Sequence, residues 1–169
     1  ARYGEWLYYN GKELIFGKSS ANSQDLVLGK DLHTLDFSLN LKASLFKYIS
    51  YDYMNASRIE SGTDNSTGKS QQNEIGKFAF DQSGKRFNQN VIENYPHLNI
   101  APGNYGKAQK NAVEIEASAI ALGMSGIEAT GENSNLVPGT KIKVRALKTE
   151  SSGEIDYGEY IVSTIEHHC

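Results

Sequence analysis

The residues best suited to metal chemistry lie together at the end of the chain, in His167, His168 and Cys169. Imidazole nitrogens and thiolates are the usual ligands of zinc. Adjacent residues of a strand point to opposite faces, however, so the two imidazoles are poorly placed to chelate one ion. The pattern therefore predicts no metal site.

Two stretches come close to the phosphate-binding loop, in which four residues separate a glycine from a Gly-Lys-Ser triplet. In residues 11–19 and again in residues 62–70, five residues intervene instead of four. Neither stretch joins a buried strand to the start of a helix, where backbone amides would hold a phosphate. We expect turns with solvated lysines and no nucleotide site.

A nucleophile elbow would need glycine at position 127, but Gly123–Gly126 is followed by Ile127. His33 belongs to an alternating strand pattern and His97 follows Tyr95-Pro96 in an apparent turn, so neither is marked as a general base. The carboxylates are numerous, yet the sequence gives no reason to pair two of them. The sequence predicts no catalytic and no cofactor-binding residue, and hence no enzyme.

Composition excludes several classes of protein. Lys and Arg number 17 against 20 Asp and Glu, a net charge of −3, and no basic stripe suggests nucleic-acid binding. Apolar runs are far shorter than the about 20 residues of a membrane span. The single cysteine excludes an internal disulfide framework. The chain begins at Ala1 without an initiator methionine and is expected to be a segment of a longer protein.

The first 54 residues favour strands. Glu5–Tyr9 and Lys12–Phe16 flank Asn10-Gly11, the preferred pair for a type I′ hairpin turn. On the first strand Trp6 and Tyr8 share one face and Leu7 and Tyr9 share the other, so both faces are apolar or amphipathic, as expected of a strand covered on both sides. His33–Leu41 alternates apolar and polar residues, and Phe46–Tyr53 is an aromatic strand.

Residues 55–77 are expected to form an exposed polar loop, because residues 61–73 include no apolar side chain. Beyond it, a turn is expected at residues 82–84. Residues 106–122 have the 3.6-residue apolar period and the alanine content of one helix, with Gly123 as a left-handed cap.

Two strands are expected to close the chain, at residues 141–146 and 158–165, joined as a hairpin across residues 150–153. The sequence thus predicts an α+β fold dominated by strands, with one alanine-rich helix. The expected core includes Phe37, Leu39, Ile142 and Val144.

Several stretches together resemble the VgrG spike proteins of type VI secretion and the hubs of contractile phage tails. They are the aromatic hairpin of residues 3–17, residues 46–53 with their Tyr-Asp-Tyr ending, and a C-terminal series after the helix. That series comprises Gly123–Ile127, Leu136–Gly139 and Tyr160–His168. The closest likeness is to spikes of the Bacteroidota-type secretion system.

The resemblance implies a structural part without enzymatic activity. Its members form a homotrimeric hub of β-barrel domains, seated on the ring of the secretion tube and continued by a neck and a needle. Residues 1–54 would supply the hairpin and the following strands of the hub. Residues 55–77 would be its exposed loop, and residues 78–169 the helix and terminal strands of the hub barrel.

The implied partners are two further copies of the parent chain, the ring protein of the tube, and the parent's own C-terminal neck and needle. An effector cargo is a further candidate partner. Such a spike is assembled in the bacterial cytoplasm and then secreted into a target cell or the medium.

Two alternatives stay open from the sequence. One is a carbohydrate- or cell-wall-binding β module in which Trp6, Tyr8, Tyr48 and Tyr51 form an exposed stacking surface. The other is the hub of a phage tail, which differs in its biology but works by the same mechanism.

Overall fold

The computed structural model describes residues 6–17, 23–64, 66–87, 89–96, 104–148 and 153–167. Within these ranges two α-helices and a short 3-10 helix accompany the strands. The helical elements are the 3-10 helix Lys69–Gln71, α1 Glu74–Phe87 and α2 Tyr105–Leu122. The strands are β1 Leu7–Tyr9, β2 Leu14–Phe16, β3 Gln24–Leu28, β4 Leu32–Leu39, β5 Phe46–Asp52, β6 Ser57–Gly62, β7 Ile92–Asn94, β8 Ser125–Gly131, β9 Lys141–Leu147 and β10 Glu154–Ile161.

The strands form three sheets, so the expected class, α+β and mainly β, is confirmed. The hairpin β1–β2 is one sheet, and the others have the orders β10-β9-β3-β4-β8 and β6-β5-β7. In the part of the chain that the structure describes, the end strands β8 and β10 do not pair, and no sheet closes into a barrel. The expectation of a single helix is wrong, because α1 precedes α2.

The five-stranded sheet has one apolar and one charged face. Leu26, Leu32, Ile142 and Val144 form its buried cluster, which confirms the expectation for the last two residues. The intervening residues of β9 point to the other face. There Lys143 pairs with an aspartate of β10, and Arg145 pairs with carboxylates of β3 and β10. This is the strict alternation that a half-buried strand requires.

The expected burial of Phe37 and Leu39 is wrong. They are 40% and 44% exposed, although they share the apolar side of β4 with half-buried Leu35. The ring of Phe37 packs against that of Tyr157, with centroids 4.8 Å apart, and this contact covers only part of the ring. Alternation identifies the residues that share a face, but it does not show how far that face is covered.

Helix α2 packs on the three-stranded sheet. Phe46 and Tyr48 of β5 form a buried cluster with Val113 and Ala117 of the helix. The helix begins and ends within one residue of its predicted bounds, because alanine-rich periodic segments are the most predictable elements. Gly123 does end it, but with φ −82° and therefore not in the predicted left-handed conformation.

The turn predicted at residues 82–84 is wrong, because helix α1 spans these residues. Its buried side consists of Gly76, Ala79, Phe80 and Ser83. The Ser83 hydroxyl accepts a hydrogen bond from the Lys42 amide at 3.0 Å. Because small and polar residues make up most of this buried side, the apolar period that reveals a helix is weak.

Residues 55–77 do not form the predicted loop. They contain β6, the 3-10 helix and the first turn of α1. Strand β6 pairs with β5 over six residue pairs. Thr63 then continues the pairing, and its hydroxyl donates to the Ser44 carbonyl oxygen at 2.7 Å. A polar strand at the edge of a sheet is stabilised mainly by its backbone hydrogen bonds, which composition does not reveal.

The β1–β2 hairpin is confirmed, but its turn is not of type I′. Asn10 does not have the positive φ that this type requires of both central residues. A four-residue loop forms instead, in which Asn10 Oδ1 accepts hydrogen bonds from the Lys12 and Glu13 amides at 2.9 Å. Asparagine thus caps the loop through its side chain.

The last two strands pair as predicted, although β10 begins and ends four residues earlier than expected. A bulge at Tyr157-Gly158 interrupts the β9–β10 ladder, and Gly158 has φ +93°. Part of the predicted connection at residues 150–153 and the residues before Trp6 lie outside the described ranges.

Candidate interaction surfaces

The hairpin exposes four large apolar side chains on one face. Antiparallel pairing places Leu7 opposite Phe16 and Tyr9 opposite Leu14, all on the same side of the ribbon. These four residues, which we call the outer hairpin face, are 57–68% exposed. Because Leu7 and Tyr9 are exposed, the expectation that the first strand is covered on both sides is wrong.

The opposite face of the hairpin is attached to the rest of the protein. Tyr8 and Ile15 lie on this side and are half-buried. The Tyr8 ring lies directly on Gly139, where a Cβ atom would collide with it. Gly139 also has φ +84°, a conformation that other residues rarely adopt. The hairpin therefore packs on the Pro138-Gly139 turn through Tyr8.

A second exposed apolar group lies where β5 turns into β6. Tyr51, Tyr53 and Met54, which we call the tyrosine turn, are 47%, 82% and 77% exposed. The two tyrosine rings meet edge to face, with centroids 5.3 Å apart and planes at 74°. Alternation along β5 points Tyr51 outward and Asp52 inward, and Tyr53 follows directly after the strand.

Asp52 holds the tyrosine turn in place. The residue is only 4% exposed, and its Oδ1 accepts hydrogen bonds from the amides of Met54 at 3.0 Å and Asn55 at 3.4 Å. Its Oδ2 accepts a third bond from the Asn55 side chain at 2.7 Å. Ala56 completes the turn with a φ of 49°. The Tyr-Asp-Tyr motif therefore combines one structural carboxylate with two displayed rings.

A buried polar network joins β5 to helix α2. Gln109 of α2 is fully buried, and its amide nitrogen donates to the carbonyl oxygens of Tyr48 at 2.5 Å and Ile59 at 3.3 Å. Its amide oxygen accepts a hydrogen bond from the Ser50 hydroxyl at 2.7 Å. One side chain thus joins the helix to both β5 and β6.

Tyr48 is also part of this support and is not a surface residue. It is 9% exposed, and its hydroxyl donates to Glu116 at 3.0 Å. Burial, followed by the hydrogen bond to this carboxylate, raises the pKa of Tyr48 to about 12. The hydroxyl therefore stays protonated at physiological pH and acts as a structural donor.

Ion pairs line the exposed side of the three-stranded sheet. Lys47 of β5 lies 2.8 Å from Glu93 and 3.6 Å from Glu60, which also contacts Arg58 at 2.5 Å. The hydrogen bond from Lys47 lowers the pKa of the Glu93 carboxyl, and the same bond raises the pKa of Lys47. These groups are solvated, so their ion pairs add little stability.

The residues that the sequence analysis considers for phosphate binding, nucleophilic attack or base catalysis have structural contacts instead. Gly68, with φ +87°, precedes the 3-10 helix and packs against α2, while Lys69 pairs with Asp81 at 2.5 Å. Ser125 lies in the ladder between β8 and β4. His33 is exposed at the start of that ladder and lies 3.3 Å from Glu132. The structure brings none of these residues together.

Within the described ranges, no three His, Cys, Asp or Glu side chains are grouped closely enough to hold a metal ion. His167 is exposed, whereas His168, Cys169 and His97 lie outside the described residues. No helix within these ranges combines the length and apolar character needed to cross a bilayer.

No protein-family model matches this chain, and no curated protein matches it either.

Proposed function

We propose that this chain is part of the trimeric hub of a contractile injection spike, as its resemblance to VgrG and phage tail-hub proteins suggests. In this role the protein bears force and holds neighbouring subunits, and it carries out no chemical reaction. Its sheets would contribute to the barrels of the hub. The tube ring would lie on one side, and the parent's neck and needle would follow.

The observation that carries the proposal is the exposure of two groups of apolar side chains, the outer hairpin face and the tyrosine turn, the second of which borders Arg58 opposite Tyr51. Contiguous apolar patches of this kind typically mark protein interaction sites in water-soluble proteins. The outer hairpin face lies in residues 3–17 and the two tyrosines of the tyrosine turn lie in residues 46–53, and both stretches resemble the hub family. The resemblance and the exposed surface thus point to the same elements.

The strand pairing is also suited to transmitting force. Seven residue pairs join β4 to β8 and another seven join β9 to β10. The first ladder connects residues that are distant in sequence, as the contact between the Thr34 and Thr130 hydroxyls at 2.7 Å shows. Such long-range ladders resist local opening better than isolated elements, because many cross-strand contacts must break together.

The test is the mass of the longer parent protein in solution. Multi-angle light scattering should give three times the chain mass for the parent at micromolar concentration, and a smaller assembly for the 169-residue chain. A parent that stays monomeric at this concentration would contradict the proposal. A pull-down with the purified tube-ring protein of the same gene cluster then separates a hub from an unrelated trimer.

The carbohydrate-binding alternative loses support from the positions of its aromatic residues. Tyr48 is buried in the core and Tyr8 lies against Gly139, so neither is available to stack on a sugar. Tyr51 meets Tyr53 edge to face, which is not the flat platform that stacking on a sugar ring requires. A phage-tail hub would work by the same mechanism as a secretion spike. The neighbouring genes distinguish the two.

A further inference from the structure

The loop of the β1–β2 hairpin contains an asparagine that is followed directly by a glycine. Asn10 and Gly11 lie at the tip of the ribbon, and Gly11 is exposed. A Cβ atom built on Gly11 would meet no other atom within 4 Å, so the backbone at this residue is open to solvent. Glycine also carries no side chain that would hinder an approach to its own nitrogen. The side-chain amide of Asn10 and the backbone nitrogen of Gly11 are therefore neighbours in an unobstructed part of the molecule.

The backbone nitrogen of Gly11 is available for reaction. Within the described ranges no group accepts a hydrogen bond from its N–H, whereas its carbonyl oxygen accepts one from the Tyr9 hydroxyl at 2.9 Å. The Asn10 amide donates to the Glu13 carbonyl oxygen at 3.2 Å, which holds the loop closed around this nitrogen. Because no hydrogen bond has to break, a reaction at the Gly11 nitrogen needs no local opening of the hairpin.

The side chain of Asn10 is held in place and polarised by the loop. Its Oδ1 accepts hydrogen bonds from the Lys12 and Glu13 amides, each at 2.9 Å. Two backbone donors on one carbonyl oxygen are the arrangement that stabilises the oxyanion in acyl-transfer reactions. Such hydrogen bonds become stronger as negative charge develops on the oxygen. The loop thus favours nucleophilic attack on Cγ of Asn10.

We propose that Asn10 is a modification site, at which the folded loop promotes an intramolecular deamidation. The Gly11 nitrogen loses its proton and attacks Cγ of Asn10, which closes a ring and places the negative charge on Oδ1. The bond from Cγ to the side-chain nitrogen then breaks, and this nitrogen takes up a proton and leaves as ammonia. Water opens the resulting cyclic imide at either of its two carbonyl carbons. The products are an aspartate in place of Asn10 and an isoaspartate linkage to Gly11.

The two products change the hairpin in different ways. An aspartate keeps an oxygen for the Lys12 and Glu13 amides, but it adds a negative charge at the end of the outer hairpin face. An isoaspartate instead lengthens the main chain by one carbon, which disturbs the register that places Tyr9 opposite Leu14. The reaction uses only atoms of this chain and water, so the inference is independent of the proposed function.

Peptide mapping of the full chain tests the proposal. The folded protein and the same protein unfolded in guanidinium chloride are incubated at identical pH and temperature, and tryptic digests are followed over time by mass spectrometry. The peptide of residues 3–12 reports on Asn10, which is its sole side-chain amide. Labelling with isoaspartyl methyltransferase identifies the isoaspartate. In the control variant Asn10→Ser, this peptide should neither gain mass nor be labelled.

The proposal predicts that Asn10 in the folded chain reacts faster than in the unfolded chain or, at the least, within about threefold of that rate, because the loop leaves the Gly11 nitrogen open. A folded rate lower than this would overturn the proposal, since the loop would then shield the amide. Asn133 is the internal reference, because Ser134 follows it and its Oδ1 accepts a hydrogen bond from the Asn135 amide at 3.0 Å. Asn10 should react faster than Asn133 in the folded sample, and equal rates at the two sites would also overturn the proposal.

Discussion

Replacing Gln109 tests how the fold supports the tyrosine turn. Gln109→Met keeps the length of the side chain but removes its three hydrogen bonds, to the Tyr48 and Ile59 carbonyl oxygens and the Ser50 hydroxyl. A net hydrogen bond contributes about 1 kcal/mol, and a buried polar group that loses its partner costs about 1–3 kcal/mol. Because Gln109 is fully buried, water cannot readily replace it.

We therefore expect Gln109→Met to lower the free energy of unfolding by about 2–4 kcal/mol. For a chain of this length, each kcal/mol lowers the Tm by about 2–4 °C. Urea unfolding followed by far-UV circular dichroism measures the change, provided that the slope with urea stays constant. Lys110→Met, on the exposed side of the same helix, is the matched control and should change stability by less than about 0.5 kcal/mol.

A double-mutant cycle with Ser50 sharpens the test. Ser50→Ala should cost about 1 kcal/mol in the wild-type protein, because it removes the hydrogen bond to Gln109. In the Gln109→Met background the same change should cost close to nothing, since that bond is already absent. Equal costs in the two backgrounds, or a loss below about 1 kcal/mol for Gln109→Met, would refute the reasoning.

Three further changes test other parts of the structure. Asp52→Ala should destabilise the protein by about 1–3 kcal/mol and speed amide exchange at Met54, whereas equal exchange rates would show that the carboxylate does not hold the turn. Gly139→Ala should displace the Tyr8 ring and shift the fluorescence of the single tryptophan, which lies in the hairpin. An unchanged spectrum would contradict the packing of the Tyr8 ring on Gly139. Hydrogen bonds from Ser66 and Thr67 lower the pKa of the Asp64 carboxyl from its ordinary 3.8 to about 2. The contribution of this carboxylate to stability is therefore present above pH 3.8 and is lost as the pH falls through 2. The Ser66 amide resonance should accordingly titrate near pH 2, and a midpoint near 3.8 would contradict the hydrogen-bonded turn.

Much of the fold is predictable because several segments have a strong period. Helix α2 and strand β9 lie close to their predicted bounds, since both alternate apolar and polar residues at the period of their own geometry. Helix α1 escapes prediction because its buried side includes Gly76 and Ser83. Strand β6 escapes because its polar residues give no apolar signal and its pairing depends on the backbone.

The candidate surfaces are predictable only in part. The aromatic strand predicted at residues 46–53 is present as β5, which ends at Asp52, and ring residues lie on both of its faces as predicted. Whether a face is covered depends on tertiary contacts that no local pattern contains. For this reason Phe37 and the first-strand residues Leu7 and Tyr9, which were expected to be covered, are exposed.

Radical footprinting of the assembled parent tests the central claim most directly. Hydroxyl radicals oxidise exposed methionine and aromatic side chains, and mass spectrometry locates the products by residue. The account predicts that Phe16, Tyr53 and Met54 are oxidised readily in the 169-residue chain and become several-fold protected in the parent assembly. Phe78, which is 57% exposed on α1, is the internal reference. Equal oxidation of all three residues in the chain and in the parent would contradict the claim that these surfaces join the subunits.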